Sequence, residues 1–313
     1  MKRSLRVLLL MITVVTVFFA MLSNGFPEEE DVLWLDYSAS QRDYAETVAM
    51  MGLMKNGNDV FASALSDYTP RGGKADLTIV LCRTDGRALD PSGISPLMIA
   101  QGPSDCYTLL FNSEQEALKA VDALNLRSDI LYAELDAEVR AIGETETAEV
   151  TGEETYMFAS WGAAIMQYDS YIDFAKNWGS GYTTVAVIDS GVAYHAMIND
   201  HIRSTGYDYI DADDDPRNDE YGHGTGVAGI IVDCVQTLPV RIYPIRILGA
   251  TGRGSVSNLC NGIREAITEG VDIINLSLEL AKISEALDDT IEEARRAGIT
   301  VVVAAGNHNI DTE

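Results

Sequence analysis

From residue 184 onward the chain alternates short, apolar, β-branched runs with helix-like stretches, and this alternation restricts its fold more than any other feature. Thr184–Ile188, Arg241–Leu248, Val271–Ser277 and Thr300–Ala305 read as strands, with a shorter one over Gly206–Ile210. Between them Thr225–Val232 is small and apolar and predicts a buried helix. Ser257–Glu269 and Ile283–Ala297 predict helices that stop at Gly270 and Gly298. Strands and helices in this order predict an α/β domain, a mostly parallel sheet with helices on both faces. Pro244 lies inside one of the strands, where its missing N–H would demote the strand or place a bulge.

In open α/β sheets ligands bind beyond the carboxyl ends of the strands. Asp189, Ser277 and Asn307 stand at such ends. His223 stands at a helix start between Gly222 and Gly224, glycines that let the chain turn tightly and let another chain approach the imidazole. An imidazole so placed suits a general base near neutral pH. The sheet thus gathers all four residues along one edge.

Residues 27–142 read differently. Ala75–Cys82, Cys106–Phe111 and Ile130–Leu135 predict strands, and Glu114–Leu124 predicts a helix behind the capping box Ser113-Glu-Gln-Glu116. The expectation is a small α+β domain with its core at about 75–141, preceded by a helical pattern over Gln41–Leu65. Residues 143–156 are acidic and almost without apolar side chains, an exposed linker of the kind proteases cut. Residues 157–313 form the second domain. The first 26 residues carry Lys2, Arg3 and Arg6, an apolar run Val7–Leu22, then Ser23-Asn-Gly25, the pattern of a signal peptide and hence of a secreted protein. That run is a little short for a membrane span, so a membrane association is expected only if the segment stays uncleaved. The net charge of −26 is shared by both halves and leaves no basic footprint for nucleic acid. Export would put Cys82, Cys106, Cys234 and Cys260 in an oxidising space. If proteolysis parts the two domains, Cys82–Cys106 and Cys234–Cys260 is the pairing that permits it; the other reading is four buried thiols with no metal-site spacing.

The blocks Val185-Ala-Val-Ile-Asp-Ser-Gly-Val192, Gly222-His-Gly-Thr-Gly-Val-Ala-Gly229, Ile274-Asn-Leu-Ser-Leu278 and Val302-Val-Ala-Ala-Gly-Asn307 resemble, in order and spacing, those of the subtilisin-like serine proteases, the subtilases. The likeness covers about residues 157–313, and residues 75–141 more weakly resemble the family's propeptide, which assists folding and inhibits the enzyme until removed. The resemblance implies a serine endopeptidase acting on protein or peptide substrates, with its own propeptide as intramolecular inhibitor and no required cofactor. Asp189 would orient the imidazole, His223 would activate a serine, and Asn307 would donate to the oxyanion. Ser277 and Leu278 on one side, and Gly252 and Gly254 on the other, would offer backbone to an extended substrate. Gly226 replaces the second histidine of most relatives. Glu279 replaces a usual glycine, so the rim of the specificity pocket is expected to be acidic and to favour a basic residue.

The family's nucleophile lies in a Gly-Thr-Ser-x-Ala block beyond the oxyanion asparagine, and residues 1–313 contain no such block. Ser190, Ser255 and Ser257 stand in the wrong places to replace it. The expectation is a catalytic domain truncated before its serine, inactive alone, with the strand ending at Ala305 an apolar edge. The alternative is a non-catalytic pseudoprotease or a propeptide-like protease inhibitor. The acidic turn Asp211–Glu220 could supply oxygen ligands for Ca²⁺ without matching an EF-hand loop.

Overall fold

The computed structural model describes residues 77–142, 172, 175, 181–304 and 306. The signal-like segment, the helical pattern over 41–65, the acidic linker and Asn307 lie outside the described residues.

Residues 78–135 form a four-stranded antiparallel sheet in the order β2-β3-β1-β4. Its strands are β1 (Thr78–Thr84), β2 (Met98–Gln101), β3 (Cys106–Phe111) and β4 (Ile130–Leu135), with one helix, α1 (Glu114–Asn125). Ser113 caps α1 by accepting from the Glu116 N–H, as the capping signature predicts. Alternation along β1 assigns each residue a face. Val80 and Cys82 pack with Leu109, Phe111 and the α1 residues Ala117, Ala120 and Leu124. Ile79 and Leu81 point the other way and join the core of the second unit.

That second unit is a five-stranded parallel sheet in the order β12-β10-β6-β8-β7. It comprises β6 (Thr183–Asp189), β7 (Tyr207–Asp208), α2 (His223–Val235), β8 (Val240–Arg246), β9 (Arg253–Ser255), α3 (Val256–Thr268), β10 (Ile273–Leu276), β11 (Leu278–Leu280), α4 (Glu285–Arg296) and β12 (Thr300–Val303). Val185 and Val187 of β6 pack with the α2 residues Val227, Ala228 and Ile231. Ala186 and Ile188 pack on the opposite face with Leu259 and Ile263 of α3 and Leu287 of α4. Helices therefore cover both faces, and the first unit's sheet lies against α3 and α4.

Three expectations need correction. Pro244 causes no bulge: the register of β8 with β6 runs unbroken from Thr183↔Val240 to Asp189↔Arg246. On its other side β8 meets an isolated bridge at Ile202–Ile242 and then the two-residue strand β7, paired at Ile245 and Arg246; Pro244 lies between the two, so the absent N–H falls where no ladder bond needs it. That strand is shorter than the predicted Gly206–Ile210. Of the two cysteine readings the bridged one falls: the four cysteines are free thiols, with Cys82, Cys234 and Cys260 buried and Cys106 half-buried. Cys82 faces Tyr107 across the β1–β3 pair and Cys106 faces Arg83, so neighbouring positions put the two sulfurs on opposite faces. Cys234 lies in the core under α2 and Cys260 in the core under α3, with the sheet between them.

The two units also share a third, three-stranded sheet. Strand β5 (Glu138–Ala141) lies antiparallel between β11 and β9. Its register is Leu278↔Ala141, Glu279↔Arg140 and Leu280↔Val139 on one side, and Glu138↔Ser255, Val139↔Gly254 and Arg140↔Arg253 on the other.

Two carboxylates of the first unit also cap helices of the second. Asp136 accepts from the Ser257 N–H at 3.0 Å and its hydroxyl at 2.6 Å, at the start of α3. Glu134 accepts from the Ser284 hydroxyl at 2.7 Å and from the Glu285 and Ala286 N–H groups, each at 3.1 Å, at the start of α4. Anionic side chains here meet the unpaired amides and positive end of each helix.

Candidate active site

Asp189 is the last residue of β6 and fully buried; His223 is the first residue of α2. The imidazole Nδ1 lies 2.8 and 3.0 Å from the two Asp189 carboxylate oxygens. Its Nε2 lies 2.9 Å from the Ile142 carbonyl oxygen, at the end of β5. A carboxylate and a carbonyl can only accept, so each ring nitrogen must carry a proton to satisfy both contacts. The geometry therefore accommodates imidazolium. Burial opposes that charge, but the Asp189 carboxylate, its hydrogen bond and the Ile142 carbonyl outweigh it and hold the His223 pKa above its ordinary value.

The glycines have a steric reason. A methyl on Gly224 would sit 2.1 Å from the Gly191 carbonyl oxygen and 3.0 Å from the Asp189 Cβ, so only glycine lets α2 seat its first turn against the Asp189 strand end. Gly252 has a left-handed φ of 69°, and a methyl there would meet the Tyr221 ring at 2.5 Å. Gly226 has open space where a Cβ would be, so nothing in the packing demands glycine at that departure from the family pattern.

Of the sequence-predicted residues, Asp189 and His223 are in direct contact. Gly252 and Gly254 on one side, and Ser277 and Leu278 on the other, flank β5: the Ala141 N–H donates to the Gly252 carbonyl at 2.9 Å and the Ile142 N–H to the Ser277 carbonyl at 3.2 Å. Glu279 faces Arg140, two residues before Ile142, rather than Ile142 itself. Asn307 lies outside the described residues.

The serines set aside as nucleophiles are engaged elsewhere. The Ser190 hydroxyl accepts from the Gly224 N–H at 2.9 Å, and the Ser255 hydroxyl caps α3 through the Asn258 N–H at 3.1 Å. Ser257 is held by Asp136.

Asp219 was not read from the sequence. Its carboxylate accepts from the Gly222 N–H at 2.8 Å and from the Thr225 N–H and hydroxyl at 2.8 and 2.5 Å. Gly222, at the cap position, has no side chain to do this, so Asp219 fixes the loop that presents His223 and adds negative charge near its ring. An aspartate within one turn of a helix start is the signal that would have found it.

Four carboxylates of the turn 211–220 are engaged by partners within the chain. Asp211 bonds Arg246 at 2.6 Å, Asp213 accepts from the Asp215 N–H at 2.8 Å, Asp215 pairs with Arg217, and Asp219 holds the start of α2. Among the described residues, no cluster of three or more His, Cys, Asp or Glu side chains is disposed to hold a metal ion.

Residues 180–313 match the subtilase family profile. M-protease of Shouchella clausii (strain KSM-K16) is 32% identical over 194 residues, covering 60% of this chain and 46% of the relative. The thermostable alkaline protease of Halalkalibacterium halodurans is 30% identical over 218 residues, covering 66% and 56%. The chain thus spans about half the length of the curated relatives it matches. Among solved structures, fervidolysin from Fervidobacterium pennivorans, a keratinolytic enzyme related to subtilisin, aligns with a TM-score of 0.55 at 19% identity, over 76% of this chain and 41% of that one. With the strand order and the Asp189–His223 contact, these likenesses make residues 180–313 similar to the subtilase family.

Proposed function

We propose that this chain is the zymogen form of a secreted serine endopeptidase, in which Asp189 orients and His223 acts as the base, and residues 77–142 act as intramolecular inhibitor. The carrying observation is the Ile142 carbonyl on His223 Nε2 at 2.9 Å while β5 is paired on both sides. A base whose Nε2 already donates to a carbonyl cannot accept a proton from a hydroxyl, so the docked strand disables the site as it fills it. When Ile142 withdraws, Nε2 is free to take the proton of a serine, and the Asp189 carboxylate stabilises the resulting imidazolium.

The edges of β9 and β11 then offer main-chain partners to a substrate strand, and Asn307 is assigned to the oxyanion. The same reading assigns the Ile142–Gly143 bond as the one cleaved in maturation. It requires a hydroxyl in the role of the family's Gly-Thr-Ser-x-Ala block, which residues 1–313 do not contain. No cofactor enters this chemistry; calcium at the 211–220 turn would be structural.

The test is to treat the product of the native gene, freed of residues up to 142, with a fluorophosphonate and to assay it on casein. The expected result is a labelled serine in such a block and hydrolysis lowered by more than about 10³-fold in His223→Ala. Protein that neither labels nor hydrolyses would sink the enzyme reading and leave binding or inhibition of proteases as the function.

A further inference from the structure

We propose that Arg253 is a specificity-determining residue of the groove, selecting extended peptides that carry a carboxylate four residues before the residue whose carbonyl meets His223. The inference rests on reading β5 as a strand lying where a substrate lies. In that strand the carboxylate belongs to Glu138.

Main-chain bonds hold β5 from both sides and are blind to sequence. Discrimination must come from side chains. Val139 is fully buried and Ile142 nearly so, which provides for aliphatic residues at those two places.

Glu138 is different. Its side chain keeps only 13% of its exposure, and its two oxygens lie 3.1 and 3.0 Å from Arg253 Nη1. Arg140 of the same strand also donates to it. Arg140 and Arg253 face each other across the β5–β9 pair, a like-charge opposition that costs stability unless an anion lies between them. Glu138 is that anion.

When β5 leaves, Glu138 leaves with it, while Arg253 stays on the groove wall beside left-handed Gly252. A strand with a carboxylate in the same place restores the ion pair; a lysine or arginine there meets Arg253 as a like charge.

The experiment reads this preference within the full chain, by native-state hydrogen exchange at the Ala141 and Ile142 amides, which donate to Gly252 and Ser277. Glu138→Lys and Arg253→Glu, each alone, are expected to speed exchange at both amides about three- to tenfold. The double variant, with the charges exchanged, is expected to return to within about twofold of the parent. Glu138→Gln is expected to fall between the parent and Glu138→Lys.

A purely structural role for Arg253 gives no recovery in the double variant, and that result overturns the proposal. So does Arg253→Glu leaving the order of Glu, Gln and Lys at position 138 unchanged. If a charge reversal prevents folding, Arg253→Gln carries the same test, because loss of discrimination at 138 is still expected. Failure of the underlying reading looks different: the parent's Ala141 and Ile142 amides would exchange at the rate of unstructured peptide.

Discussion

Removing Glu134 should undock the first unit without unfolding it. Its carboxylate takes three hydrogen bonds at the start of α4, two of them from first-turn amides. In Glu134→Ala, water can reach the exposed Glu285 amide, but Ala286 is buried and its N–H loses its partner. Hydrogen bonds to a charged group contribute about 1.5–3 kcal/mol together with the helix-end term, so a loss of about 2 kcal/mol is expected. At 1.4 kcal/mol per tenfold, the docking equilibrium should fall roughly thirtyfold. Hydrogen exchange resolves this by location: the Ala141 and Ile142 amides should lose protection roughly thirtyfold, while β6 amides such as Val187 change less than about threefold. Glu134→Gln keeps one acceptor and should lie between. A uniform loss across both units, or less than a threefold loss at Ala141, would refute the idea that this cap holds the units together.

Other expectations follow from the same contacts. Burial between the units pushes the Asp136 carboxyl up to about 6, and His223 is also held above its ordinary value. A carboxyl whose pKa is raised by docking favours docking at low pH and loses that contribution as pH rises through it, so protection at Ile142, corrected for intrinsic exchange, should fall between about pH 4 and 6; the Asp189 contacts that raise His223 stay in place on undocking. The Ser257 N–H and hydroxyl face Asp136, and Glu134 lies near enough to raise it further, so Asp136→Asn should flatten the acid part of the curve. Asp219→Ala should cost about 1 kcal/mol as a lost cap and shift the His223 titration to lower pH, measured by thermal melting and proton NMR. Gly224→Ala should destabilise by more than about 3 kcal/mol or prevent folding, whereas Gly226→Ala, in open space, should be neutral or stabilise by up to about 1 kcal/mol.

The parallel sheet and its helices were legible because each strand is a local apolar run and each helix has a local stop. β3 and β4 begin and end at the residues their sequence predicts, and α2 starts at His223. The Asp189–His223 pair was legible because strand ends and helix starts meet on one edge of such a sheet.

What stayed hidden is non-local. β5, β9 and β11 have three or four residues each and exist through pairing between units far apart in sequence, so no periodicity marks them. The helix caps by Glu134 and Asp136 lie on partners more than 100 residues away. The choice between bridges and thiols stayed open because sequence gives the number of cysteines but not the sheet faces that keep them apart. Which residue of the docked strand Glu279 would face was not legible, since the register is set by that strand's pairing.

The central claim is that Asp189 and His223 belong to a peptidase site whose first substrate is its own Ile142–Gly143 bond. The most direct measurement is the amino-terminal sequence of the mature protein secreted from the native gene, beside its His223→Ala variant. The account predicts a mature chain beginning at Gly143 and a variant that keeps residues 77–142 attached. A mature chain beginning elsewhere, or a His223→Ala protein processed as fully as the parent, would contradict it.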